Sequence, residues 1–245
     1  MTRDPELLGQ TVVVIGGSAG IGLETARRAR AEGADVVLVA RDPSRLEQAA
    51  RDVDARSTAA FDATDGPALQ RFFADLSAPI DHVMVTGPGP SYVPLLEMTA
   101  DQVRGELGDH VVLGLEVARN AAPKMRAGGT LILMGGTGGR RIHRGLGLAS
   151  AATATLPPFT ATLALELAPI RVNLIAAGFV DTPLSATYFK DAADLEKRRE
   201  DLRTNLPIGR VVGPADVAAL AVHIMTNTAL TGATYDIDGG QQFVA

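Results

Sequence analysis

The sequence predicts an α/β fold: a doubly wound, parallel seven-stranded sheet with helices on both faces. Three observations support this. Seven short apolar runs recur through the 245 residues, with stretches of helical periodicity between them, the rhythm of a parallel sheet with crossover helices. The runs are rich in Val, Ile and Leu without polar alternation, as expected of strands covered on both faces. No low-complexity linker or internal repeat interrupts the chain, so a single domain over residues 1–245 is expected.

The elements follow in order. Strands are expected at 11–15, 36–40, 58–61, 82–85, 130–134, 171–175 and 234–237. Helical patterns cover 21–31, 99–125, 148–167 and 215–225. Thr99 and Gln102 have the spacing of a capping box, and Gly213-Pro214 suits a helix start. Pro157 and Pro158 fall inside the third pattern, remove two helical donors and are expected to kink it. The charged segment 184–205 breaks the rhythm after the sixth strand. Such insertions often cover a ligand site, so a substrate lid is expected there, with a solvated helix pair as the alternative.

Hydrophobic residues make up 46% of the chain, enough for a large core, and the net charge of −5 offers no attraction to nucleic acid or an anionic membrane. There is no cysteine, which excludes disulfides, a thiolate nucleophile and Cys-based zinc sites; no metal site is expected. The polar N-terminus does not read as a signal peptide, and no apolar window reaches about 18 residues. A cytoplasmic protein with a small-molecule substrate is expected.

The sharpest motif is Ile15-Gly16-Gly17-Ser18-Ala19-Gly20-Ile21-Gly22, between the first strand and the first helix. Gly16 permits a tight turn, Gly20 lets backbone N–H groups approach a pyrophosphate, and Gly22 lets helix and strand pack closely. The helix N-terminus then faces the phosphates with its partial positive charge. This is a Rossmann-type dinucleotide site, and the spacing Gly-x-x-x-Gly-x-Gly resembles the short-chain dehydrogenase/reductase family. Ala177-Gly178-Phe179-Val180-Asp181-Thr182 is similar to the family's Pro-Gly-x-x-x-Thr stretch, and 207–218 and 231–240 are similar to its C-terminal signatures. The resemblance implies an oxidoreductase with a nicotinamide cofactor. It implies cofactor contacts at Gly16, Ser18, Ala19, Gly20, Ile21, Gly22, Asp62, Ala63, Gly87, Gly178, Val180 and Thr182. Ala40 offers no carboxylate for an NAD ribose, whereas Arg41 can hold a 2′-phosphate, partly offset by Asp42. NADP is therefore expected, with NAD as the alternative.

The family's active site combines Asn, Ser, Tyr and Lys. A gapless comparison puts His110, Gly136, Ala149 and Thr153 at those positions. The chain has three Tyr and three Lys, and no Tyr-x-x-x-Lys pair. Replacement proton carriers are expected among His143 and His110, with Thr137 orienting a carbonyl. Arg140 and Arg141, in the glycine-rich loop after the fifth strand, are candidates for an anionic substrate group, or else form a solvated basic loop. Tyr92 and Tyr188 are candidate substrate contacts. The competing reading is a catalytically silent dinucleotide sensor or inactive partner subunit. Apolar residues Val111, Leu113, Leu115, Leu148, Leu156 and Leu163 lead to an expected homodimer or homotetramer.

Overall fold

The computed structural model describes residues 4–77, 79–140, 142 and 145–244. The strands are β1 (Thr11–Ile15), β2 (Asp35–Ala40), β3 (Ser57–Ala60), β4 (Ile80–Val85), β5 (Met125–Gly136), β6 (Arg171–Ala177) and β7 (Thr234–Ile237). The helices are α1 (Gly20–Ala31), α2 (Pro43–Val53), α3 (Gly66–Asp75), α4 (Ala100–Ala121), α5 (Ala149–Glu166), α6 (Pro183–Ala186), α7 (Ala192–Asn205) and α8 (Pro214–Thr226). All seven strands form one parallel sheet in the order β3-β2-β1-β4-β5-β6-β7. The order reverses between β1 and β4, which opens a crevice at their carboxyl ends.

The strands lack polar alternation because both faces are buried. Val12 and Val14 pack with Leu38, Ile132 and Ile175 beneath α1 and α8. Val13 and Ile15 pack with Val37, Val83, Leu131 and Leu174 beneath α3, α4 and α5. Fully burying each such side chain contributes about 1.5–3 kcal/mol.

Several boundaries differ from the sequence reading. The helix expected over 99–125 ends at Ala121; Ala122–Lys124 form a 3-10 turn around Pro123, and Met125 already belongs to β5. Helices α2 and α3 were not expected. Each starts with Asp before a first-turn Pro: Asp42 accepts from the Arg45 N–H at 3.1 Å, and Asp65 from the Ala68 N–H at 3.1 Å. Helix α5 remains one element of 18 residues across Pro157 and Pro158. The two prolines withhold the bonds that the carbonyls of Thr153 and Ala154 would otherwise accept.

Two buried polar side chains belong to the frame. His82 meets Gln10 Oε1 through Nε2 at 2.7 Å, and burial pushes its pKa from 6.5 to about 3. Arg171, 6% exposed, donates to the carbonyls of Gly128, Ile224, Met225, Asn227 and Leu230. No helix among the described residues is long and apolar enough to cross a membrane.

Candidate active site

The glycine loop lies in the crevice between β1 and β4. Gly16 has φ +84°, and a Cβ there would stand 1.9 Å from Thr86 Oγ1. That hydroxyl is fixed by donating to the Ile15 carbonyl at 2.8 Å. A Cβ at Gly22 would meet the Gly16 carbonyl oxygen at 2.2 Å, so α1 can lie this close to the loop only with glycine there. Ser18, Ala19 and Ile21 complete the turn and are partly buried. Ala19 is the extended N-cap of α1; no side chain caps that helix, and no acidic residue lies in its first turn. By contrast α2, α3, α4, α6 and α7 carry side-chain caps, while α5 and α8, like α1, have none. The first-turn N–H groups of α1 are thus left for an anion, so the loop fits a pyrophosphate.

Arg41 is exposed just after β2. Asp62 accepts from the Thr64 N–H at 2.9 Å and the Thr64 hydroxyl at 2.8 Å. These bonds, and then the charge of Arg41, lower the Asp62 pKa. Ala63 packs against the core beside them.

In the loop after β6, a Cβ on Gly178 would stand 2.6 Å from Gln241 Oε1, so the glycine admits the C-terminal turn. The Val180 side chain is buried in the core, which leaves only its backbone for a cofactor. Thr182 caps α6: its hydroxyl accepts from the Ser185 N–H at 3.1 Å, and its own N–H donates to Ser185 Oγ at 2.8 Å.

His110 projects from α4 against Gly87, where an added Cβ would approach its Cδ2 at 3.1 Å and Nε2 at 3.5 Å. His110 borders two spaces. One is an outer cleft of about 260 Å³ that includes Gly89, Ser91 and Glu106; the other is a small apolar cavity that includes Gly87, Leu133 and Leu156. Burial lowers its pKa, while Asp109 and the Pro88 carbonyl oppose that shift; Nδ1 is buried without a hydrogen-bond partner. Tyr92 and Tyr188 stack edge to face with centroids 4.9 Å apart. Burial raises both phenols, and the Tyr188 pKa is pushed up to about 12, so neither supplies a phenolate near neutral pH.

The positions that the resemblance empties do come together. A Cβ on Gly136 would lie 3.3 Å from Thr153 Cγ2. The Thr153 hydroxyl, however, donates back to the Ala149 carbonyl at 2.8 Å. Thr137 is buried in the turn that follows β5. Arg140 forms an ion pair with Asp236 of β7, both side chains being partly exposed. Arg141 and His143 lie outside the described residues. Lys124 precedes β5, at the end of the sheet away from the crevice, and donates to the carbonyls of Ala74 and Leu76. Sequence reasoning missed Thr86, Ser185 and the Asp181–Arg199 pair, whose roles depend on tertiary neighbours.

Residues 16–242 match a family model described as enoyl-(acyl carrier protein) reductase. A relative named short-chain dehydrogenase/reductase ATR9, from Stachybotrys chlorohalonatus, is 27% identical, covering 96% of this chain and 98% of its own.

The chain belongs to the short-chain dehydrogenase/reductase family.

With that membership it is an NAD(P)-dependent oxidoreductase. This short-chain dehydrogenase/reductase shares its fold with MalC reductase/Diels-Alderase from Malbranchea aurantiaca, at TM-score 0.88, 24% identity and coverage of 97% and 98% of the two chains. A small-chain dehydrogenase solved in complex with NADPH gives TM-score 0.80 and 25% identity, over 95% of this chain and 98% of its own.

Proposed function

We propose that the chain is an NADP-dependent oxidoreductase for a carbonyl- or alcohol-type small molecule, with His110 in place of the family's Tyr and Lys as proton carrier. The observation that supports this most directly is the position of His110. It is a titratable side chain set against the Gly87 turn at the carboxyl end of β4, and it borders both the outer cleft and the inner cavity. A bound nicotinamide would supply or accept the hydride. The chain's own part is to hold the dinucleotide on the α1 N-terminus, align the substrate and move one proton. Burial keeps the imidazole neutral near pH 7. A neutral imidazole takes the alcohol proton during oxidation; protonated, it gives one to the carbonyl oxygen during reduction. Thr137 is proposed to orient that oxygen, with Tyr92 and Tyr188 walling the substrate and 184–205 acting as the lid.

Arg41 supports the preference for NADP, and the neighbour solved with NADPH is consistent with it. The cysteine-free chain has no need of an oxidising compartment, in keeping with a cytoplasmic location. The experiment is a turnover assay with NADPH or NADP across a panel of carbonyl and alcohol compounds. Cofactor binding without turnover anywhere in the panel would favour the second reading, a silent dinucleotide-binding subunit. That reading draws its support from the Thr153 hydroxyl, which is turned back into its own helix.

A further inference from the structure

Two arginines of α7 reach the segment 177–182: Arg198 lies over the Phe179 ring, 6.0 Å from its centroid, and Arg199 pairs with Asp181. Arg199 Nε donates to Asp181 Oδ2 at 2.9 Å, and Nη2 donates to Oδ1 at 2.8 Å, a two-pronged ion pair. Arg203, one turn on, pairs with Glu196 and Glu200 of its own helix. Arg199 also reaches Glu196, but its fork leaves the helix for Asp181. Asp181 is held from its other side, where its N–H donates to the Val212 carbonyl at 3.0 Å and Val180 bridges to Val212. The next residue is Thr182. A Cβ built on Gly20 would stand 3.3 Å from Thr182 Cβ and Cγ2, so Thr182 lies directly over the glycine loop. Leu195 and Leu202 bury the inner face of α7 and give the fork a firm base. One path of contacts therefore runs from α7 through Arg199, Asp181 and Thr182 to the loop that fits the pyrophosphate.

We propose that Arg199 is a positioning residue for the nicotinamide half of the cofactor: through Asp181 it holds Thr182 over the glycine loop and slows escape of a bound dinucleotide. This rests on the nucleotide-binding reading above. Lysine in its place would keep the charge but lose the fork. The pair is partly exposed, with 28% and 31% of the two side chains accessible, so its effect is a modest one on residence time.

The test compares two ligands on the full chain. NADPH carries both halves of the cofactor, whereas adenosine 2′,5′-bisphosphate carries only the adenine-side half. Arg199→Gln and Asp181→Asn are each expected to raise the NADPH dissociation rate about three- to tenfold, and affinity for the bisphosphate is expected to stay unchanged. Arg199→Lys falls between wild type and Arg199→Gln, and the double variant adds nothing to either single change. The chain has no Trp, so reduced-cofactor fluorescence reports dissociation with little protein background. An unchanged NADPH off-rate, or equal weakening of both ligands, would overturn the assignment. Should Arg199→Gln fail to fold, Asp181→Asn preserves shape and gives the same readout. If unaltered protein binds neither ligand, the nucleotide-binding reading falls and takes this inference with it. If it binds both and the variants release NADPH at the wild-type rate, this inference alone falls.

Discussion

Arg41 and His110 are the two side chains that separate this chain's proposed chemistry from a generic dinucleotide fold. Under the NADP reading, Arg41 is proposed to receive the 2′-phosphate. Arg41→Asp is expected to weaken NADPH binding at least tenfold and leave NADH binding within about twofold, read by fluorescence titration. His110→Ala is expected to cost about 10² to 10⁴ in turnover at nearly constant NADPH affinity. Full turnover in that variant would return attention to His143. Because burial lowers the His110 pKa below 6.5, alcohol oxidation should persist down through neutral pH and fail only below it, while carbonyl reduction gains on acidification. A rate profile in each direction, with and without His110, checks this. Arg140 shows where residue-level reading stopped. Its partner Asp236 is 96 positions away, and no local pattern announces that pair.

Among the elements, the strands were the most legible, because residues such as Val12, Val13, Val14 and Ile15 are apolar on both faces for a reason the fold imposes. Helices α2 and α3 were less so. They are short, but Leu46, Ala49 and Val53 of α2 and Leu69 and Phe73 of α3 form a clear one-sided apolar stripe that the sequence reading passed over. Their Asp-Pro and Asp-Gly-Pro starts were a second signal. The end of α4 was misplaced although Pro123 marked it: the helix stops at Ala121, and the Ala122–Lys124 turn leads straight into β5. The site was legible where backbone geometry dictates sequence, as at Gly16 and Gly22. Thr86, Ser185 and Arg199 act through tertiary partners and left no such trace. Helix α1 offers a test at this scale. Ala19→Asp supplies the missing N-cap, which should stabilise the helix by about 1 kcal/mol. The same carboxylate repels a pyrophosphate, so a melting temperature held or raised together with lost NADPH binding is the expected pair of results.

Across the whole molecule, few apolar side chains of α4 and α5 are left exposed for assembly. Leu113, Leu156 and Leu163 are 6%, 2% and 4% exposed, so they belong to the monomer's own core and cannot draw two copies together. Val112 and Leu115 on α4 and Leu165 on α5 remain outside, Leu165 at 83% exposure. We expect a homodimer or homotetramer through these helices, with Leu165→Glu shifting the mass measured by light scattering toward monomer. Stability should also depend on acid. His82 stays neutral in the fold to about pH 3 but takes up a proton near 6.5 once unfolded. Between those values the unfolded chain binds the extra proton, so stability falls with falling pH at about 1.4 kcal/mol per unit for this one group. His82→Gln should flatten that slope in denaturant titrations run between pH 6.5 and 4.

Arg171 ties this molecule to the order in which its chain is made. Its guanidinium enters with β6, yet four of the carbonyls that receive it belong to Ile224, Met225, Asn227 and Leu230. While the ribosome has not yet released those residues, β6 cannot settle against β5 without taking out of water a cation matched only by the Gly128 carbonyl. The growing chain therefore has reason to keep its second half loose until nearly the last residue has emerged. Nascent fragments ending before Ile224 should be protease-sensitive from β6 onward, whereas the finished protein is protected there.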